Sequence, residues 1–111
     1  MSDCIFCRIA AGEIPATVVA RTSQALAFRD LNPQAPTHLL VIPLSHADSA
    51  ATASPEILAQ VLGLAAEVAR AEGLEERGYR LVTNIGRDGG QSVGHLHVHV
   101  LGGRAMHWPP G

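Results

Sequence analysis

The chain has 111 residues, 47% of them apolar, which suits one domain with its own core and leaves no material for a second. Its net charge is −2 and its eight basic residues, all arginine, are scattered, so no cationic surface for a DNA or RNA backbone is expected; without lysine there is neither a Schiff-base amine nor a P-loop lysine. No apolar run reaches the roughly 18 residues of a membrane span, and the opening MSDCIFCRIA lacks the charged and apolar regions of a signal peptide, so a cytoplasmic protein is expected.

From Asp3 to Ala11, Ile5, Phe6 and Ile9 recur at helical spacing, which predicts a short helix ended near Gly12. Thr17 to Arg21 and Ala25 to Arg29 are β-favouring runs around Thr22-Ser23-Gln24 and read as a hairpin. The prolines and the Asn-Pro step of Asp30 to Pro36 make a loop, and the apolar run His38 to Ile42 reads as a strand covered on both faces. Pro55 to Glu72 is the clearest helix. Ser54 is its N-cap, Pro55 opens it, and Ile57, Leu58, Val61, Leu62, Ala65, Val68 and Ala69 form its apolar stripe, with Gly73 behind it. Tyr79 to Ile85 reads as a strand, a glycine-rich loop spans 86–94, and a histidine-bearing strand follows. The tail Met106 to Gly111 can be neither helix nor central strand. Five strands with one long helix between the third and fourth make an α+β domain, 1–111, around an antiparallel sheet.

The segment GHLHVHVLGG holds half of the six histidines at alternate positions. On a strand, His95, His97 and His99 share one face while Leu96, Val98 and Val100 pack on the other. Neighbouring imidazole anchors are then about 7 Å apart and the outer two about 13 Å, too far for one metal to take all three easily. Burying three imidazoles together costs desolvation without a packing advantage over Val or Ile, so function is the better reading. Two chemistries fit: metal ligation by adjacent pairs, and metal-free nucleophilic or acid–base work. Gly86, Gly89, Gly90 and Gly94 with Ser92 could offer backbone N–H groups to an anion beside these rings, which favours the second. A neutral imidazole nitrogen can attack phosphorus once its other nitrogen donates to a fixed acceptor. In the reducing cytosol, Cys4-x-x-Cys7 suggests metal or redox chemistry.

The string His95-Leu-His-Val-His-Val-Leu101 resembles the signature of the histidine triad (HIT) superfamily. Ala27 to Leu31, Pro33 to His38, Val41 to Pro43, Asp88 to Val93 and the ending Leu101 to Gly111 resemble its Hint branch, the purine nucleoside phosphoramidases. That resemblance implies a HIT-like fold with a five-stranded antiparallel sheet, a short N-terminal helix and one long helix, and a homodimer whose two sheets join into ten strands. It implies His97 as the nucleophile that becomes nucleotidylated, His99 and Ser92 at the phosphate and the departing amine, and His38 in the nucleophile's hydrogen-bond chain. It places Ile5, Phe6, Ile9, Ile14 and Leu31 at the purine and Asp30 at the ribose hydroxyls. Asn84, Gly90, Gln91, Ser92, Val98 and Trp108 complete the nucleotide contacts, Trp108 from a tail that passes near the partner's site. Bacterial relatives with a C-x-x-C pair imply a structural zinc on Cys4, Cys7, His46 and His95, with no cofactor needed for catalysis.

The expected activity is hydrolysis of the P–N bond of a nucleoside 5′-phosphoramidate such as an AMP-amine, acting on a purine nucleotide rather than a nucleic-acid polymer. A non-catalytic purine nucleotide sensor that works through a partner protein, and a metal-dependent hydrolase using the histidine cluster, are the two rival readings.

Overall fold

A computed structural model describes residues 3–111. Five strands, β1 (Val18–Arg21), β2 (Ala25–Arg29), β3 (Thr37–Pro43), β4 (Arg80–Val82) and β5 (Val98–Gly102), form one antiparallel sheet in the order β1-β2-β3-β5-β4. Two helices, α1 (Ile5–Ala10) and α2 (Pro55–Ala71), complete the α+β architecture expected from the sequence. The β1–β2 turn is closed by Thr22, whose Oγ1 accepts from the N–H groups of Gln24 and Ala25.

Alternation along β3 divides the core. Leu39 and Val41 pack with Val61, Leu64, Ala65 and Val68 of α2, whereas Leu40 and Ile42 pack with Phe6 and Ala10 of α1. β3 is therefore buried on both faces, as its unbroken apolar run predicts. The same alternation puts Val98 and Val100 in the α2 layer and their neighbours His97 and His99 on the α1 side.

Ser54 caps α2 by accepting from the N–H of Ile57 at 3.2 Å. The expected stripe needs one correction. Leu62 is 46% exposed, and Leu64 is buried in its place, because the face on the sheet is centred between Val61, Leu64, Ala65 and Val68. Three strands are also shorter than expected, β1 by the single residue Thr17. β4 covers 80–82 rather than 79–85, and β5 begins at Val98 rather than His95. The N–H of Leu96 donates to the Ala47 carbonyl at 2.7 Å, drawing this stretch away from the β4 side, and Thr83 Oγ1 donates to the His97 carbonyl at 2.8 Å in place of a ladder bond. The tail is held by Arg80 Nη2 donating to the His107 carbonyl and by Arg104 donating to the Gln34 carbonyl.

Candidate active site and metal centre

His97 is 4% exposed and sits edge-on to Phe6 of α1 and to His99, each ring centroid 5.1 Å away. Its Nδ1–H donates to the main-chain carbonyl of His95 at 2.8 Å. A carbonyl can only accept, so in the neutral ring the proton is on Nδ1 and Nε2 carries the lone pair. This is the tautomer a nucleophilic imidazole needs.

The tautomers of His38 and His99 follow from the backbone in the same way. The N–H of Gln34 donates to His38 Nδ1 at 3.0 Å, so the neutral His38 ring carries its proton on Nε2. That proton lies between His99 Nδ1 at 2.9 Å and Asp30 Oδ2 at 3.5 Å. His99 Nδ1 is thus an acceptor, and the His99 proton is on Nε2. Burial above all, then the neighbouring His97 and His38, pushes the His99 imidazole down to about 4, with Asp30 opposing. Burial also lowers His38 against the pull of Asp30. His38 therefore reaches His97 through His99 and not by a direct bond. Gln34, which fixes this chain, gave no signal in the sequence beyond standing four residues before His38.

Two cavities flank the triad. The smaller, about 210 Å³, gathers Ile5, Phe6, Ile9 and Ile14 with Asp30 and Leu31. Phe28 and Leu40 also line it, residues that the inward positions of β2 and β3 could have disclosed. Leu31 is 95% exposed at this edge, an apolar side chain with nothing of its own chain to cover it. The larger cavity, about 440 Å³, joins His38, His99 and Asn84 to Arg80 and to His107 and Pro109 of the tail. Asp30 Oδ1 accepts from the N–H of Asn32 at 2.7 Å, which orients the carboxylate.

The glycine loop is more tightly knit than an open anion nest. The N–H of Gly90 donates to the Arg87 carbonyl, that of Gln91 to the Gly86 carbonyl, and that of Gly86 to Gln91 Oε1. Gln91 Nε2 donates to the carbonyls of Asp48 and Val93, and Asn84 Nδ2 to the Gly89 carbonyl. Gln91 thus braces the loop, while Ser92 is exposed. The Val98 side chain is buried in the α2 layer and turned from both cavities, so any contact it makes there is through its main chain. The Trp108 ring is 84% exposed.

Cys4, Cys7, His46 and His95 converge, their ligating atoms all within 4.8 Å of one another. His95 Nδ1 lies 3.3 Å from Cys4 Sγ, 3.4 Å from Cys7 Sγ and 3.1 Å from His46 Nδ1, and Cys7 Sγ lies 3.2 Å from His46 Nδ1. Tetrahedral zinc would set S···N near about 3.5 Å and N···N near about 3.3 Å. The ring nitrogens facing away are also suitably engaged: His95 Nε2–H donates to the Pro43 carbonyl at 3.1 Å and His46 Nε2–H to Asp48 Oδ1 at 2.8 Å. Both Nδ1 atoms are then lone-pair donors, and the set fits zinc. Asp30, His38 and His99 also lie close enough to hold an ion. There the backbone opposes it, because the Gln34 N–H at His38 Nδ1 puts the proton on Nε2, the atom that would have to bind.

The pattern of the HIT domain matches residues 11–106. The chain is 53% identical over 115 residues to a 14 kDa zinc-binding protein of Zea mays, an alignment spanning 99% of this chain and 89% of that one. Its structure is similar to that of a HIT family hydrolase from Legionella pneumophila, with a TM-score of 0.94, 55% identity and coverage of 98% and 100%. It is also similar to a histidine triad protein from Clostridium difficile, with a TM-score of 0.91, 43% identity and 96% of each chain covered.

Proposed function

Since the chain belongs to the HIT domain family, we propose that it is a purine nucleotide-binding hydrolase of the Hint type that cleaves nucleoside 5′-phosphoramidates through a nucleotidyl-His97 intermediate. The observation that carries this reading is the bond from His97 Nδ1–H to the His95 carbonyl, which in the neutral ring assigns the lone pair to Nε2, the atom that would attack. Nε2 attacks phosphorus, the amine departs, and water then displaces His97 from the adduct. His99 offers its Nε2–H to the phosphate group, and Ser92 adds a hydroxyl on the same side. The purine enters the apolar cavity between Ile5, Phe6, Ile9 and Ile14 under Leu31, and the ribose hydroxyls donate to Asp30.

The zinc-binding name of the maize relative and the donor set here support zinc on Cys4, Cys7, His46 and His95. Such an ion would tie the start of α1 to the segment before β5 and take no part in the reaction. The protein is proposed to be a cytoplasmic homodimer. The three-residue edge strand β4, with Leu81 37% exposed, is the surface that supports pairing, and sedimentation at micromolar concentration tests it.

The test of the activity is incubation with an AMP-amine conjugate, followed by intact-mass spectrometry and amine release. An adduct of one AMP per chain that is absent in His97→Ala is expected. Binding without adduct or release would favour the nucleotide sensor and overturn the enzyme reading. The metal-dependent reading would be favoured by activity that vanishes with a chelator while the fold persists; the tautomer of His38 argues against it.

A further inference from the structure

Four arginines face a carboxylate: Arg8, Arg29, Arg70 and Arg87 pair with Glu13, Glu72, Glu75 and Asp88. Among the described residues Arg21, Arg77, Arg80 and Arg104 have no such partner, and the fold gathers the last three. Arg80 and Arg104 line the cavity of about 440 Å³ that holds His99, and Arg77 joins them in an adjoining one of about 310 Å³. No acidic side chain lines either. Asp30, the carboxylate near His99, lines the apolar cavity instead. A chain of net charge −2 thus presents a local positive field beside its histidines.

The guanidinium groups are held but not neutralised. Arg80 Nη2 donates to the His107 carbonyl at 2.7 Å, and Arg104 donates through Nε and Nη2 to the Gln34 carbonyl and through Nη1 to that of Ala105. Main-chain carbonyls fix these groups and leave their charge uncompensated, and the other N–H donors of Arg80 are uncommitted. Strand register sets the distance. Val82 pairs with His99 and Arg80 with Leu101, so Arg80 shares the His99 face, about 7 Å along β4 from the position opposite that histidine. A second copy pairing along the β4 main chain would leave the Arg80 side chain on that face.

Resting on the phosphoramidase reading, we propose that this cavity is the leaving-group subsite and that it selects an amine carrying a carboxylate, as an amino acid does, with Arg80 as the specificity-determining residue. The purine and ribose occupy the apolar cavity on the other side of the triad, so the group across the phosphorus from them is directed toward Arg80. A carboxylate three carbons from the nitrogen extends about 5 Å, within reach of the Arg80 side chain. Over the whole reaction the electron pair of the P–N bond stays on the amine nitrogen, and water supplies the hydroxyl that phosphorus gains and the proton that nitrogen gains. The carboxylate is unchanged.

Two conjugates test the selection, AMP joined through nitrogen to 4-aminobutanoate and AMP joined to its neutral isostere 4-aminobutanamide. The carboxyl end is far enough from the nitrogen for the two amines to have similar basicity, so leaving ability is matched and charge differs. In wild type, kcat/KM for the carboxylate is expected to exceed that for the amide about fivefold at low salt, the upper end for an ion pair open to solvent. The ratio should fall toward one in about 0.5 M NaCl. In Arg80→Gln it should be below about twofold at low salt, and Arg80→Lys, which keeps the charge without the planar fork, should retain part of it. Each ratio is taken within one protein, so a folding defect that lowers both rates alike does not imitate the result. A wild-type ratio of one or below, or a ratio that survives Arg80→Gln, overturns the proposal and leaves the phosphoramidase reading intact, because amine is still released. Release of neither amine overturns that reading and the proposal with it.

Discussion

Acidification from pH 7 to pH 5 is expected to remove about 1 kcal/mol of stability through His99 alone. The ring protonates at about 4 in the folded chain, held down by burial first and by His97 and His38 next. In the unfolded chain it protonates near 6.5. Between those values the unfolded state binds a proton that the folded state refuses, so stability is present above the window and is lost as pH falls through it. The whole gap is worth roughly 3 kcal/mol, and about 2 of that lies between pH 7 and 5. His99 is only half-buried, and solvent screening brings this to about 1 kcal/mol, or roughly 4 °C in Tm for a domain of this size. Urea denaturation of wild type and His99→Gln across the range measures it. The two stability curves should converge by about 1 kcal/mol on acidification, with a residual slope in the variant from His38, whose shift has the same direction. Parallel curves would refute the neutral, half-buried His99 and the tautomer chain built on it.

Leu64→Ala should cost about 2–4 kcal/mol by denaturation, and Leu62→Ala under about 1 in the monomer; the reverse order would mean α2 is rotated on the sheet. Gly89→Ala would place a Cβ 2.2 Å from the Ile85 carbonyl oxygen, which cannot swing aside as a side chain would. A loss of about 1–3 kcal/mol is expected, with weaker AMP binding by calorimetry as Asn84 loses its hold on the loop; unchanged stability would show that the turn is looser than its contacts imply. Cys7→Ser should take zinc content from about one per chain to near none by metal analysis and lower Tm in zinc-replete buffer, while matching wild type in chelator. A variant that keeps its zinc would remove Cys7 from the donor set.

Much of the fold could be read from local chemistry. Ser54-Pro55 and Gly73 bracket α2, the apolar run at β3 announces a strand buried on both faces, and the alternation His95 to Val100 sorts imidazoles from core. The failures share a cause. The edge of the α2 stripe and the ends of β4 and β5 are decided by partners distant in sequence, such as the Ala47 carbonyl that draws in Leu96 and the Thr83 hydroxyl at His97. The site divides in the same manner. Residue types at Cys4, Cys7, His97 and Asp30 suggested chemistry, but the protons on His38 and His99 are set by the main chain at Gln34, and the anchor of His97 is the main chain of His95. Main-chain donors carry no signature in side-chain identity.

His95 serves two masters. Its imidazole belongs to the sulfur-and-nitrogen cluster, while its peptide oxygen steadies the His97 ring two positions on. Mutagenesis at this position therefore conflates two effects, and an inactive His95 variant says nothing about whether that imidazole meets substrate. Perturbing the cluster from the cysteine side, which leaves the peptide at 95 untouched, is the cleaner way to ask how far a disturbance there spreads toward the reaction.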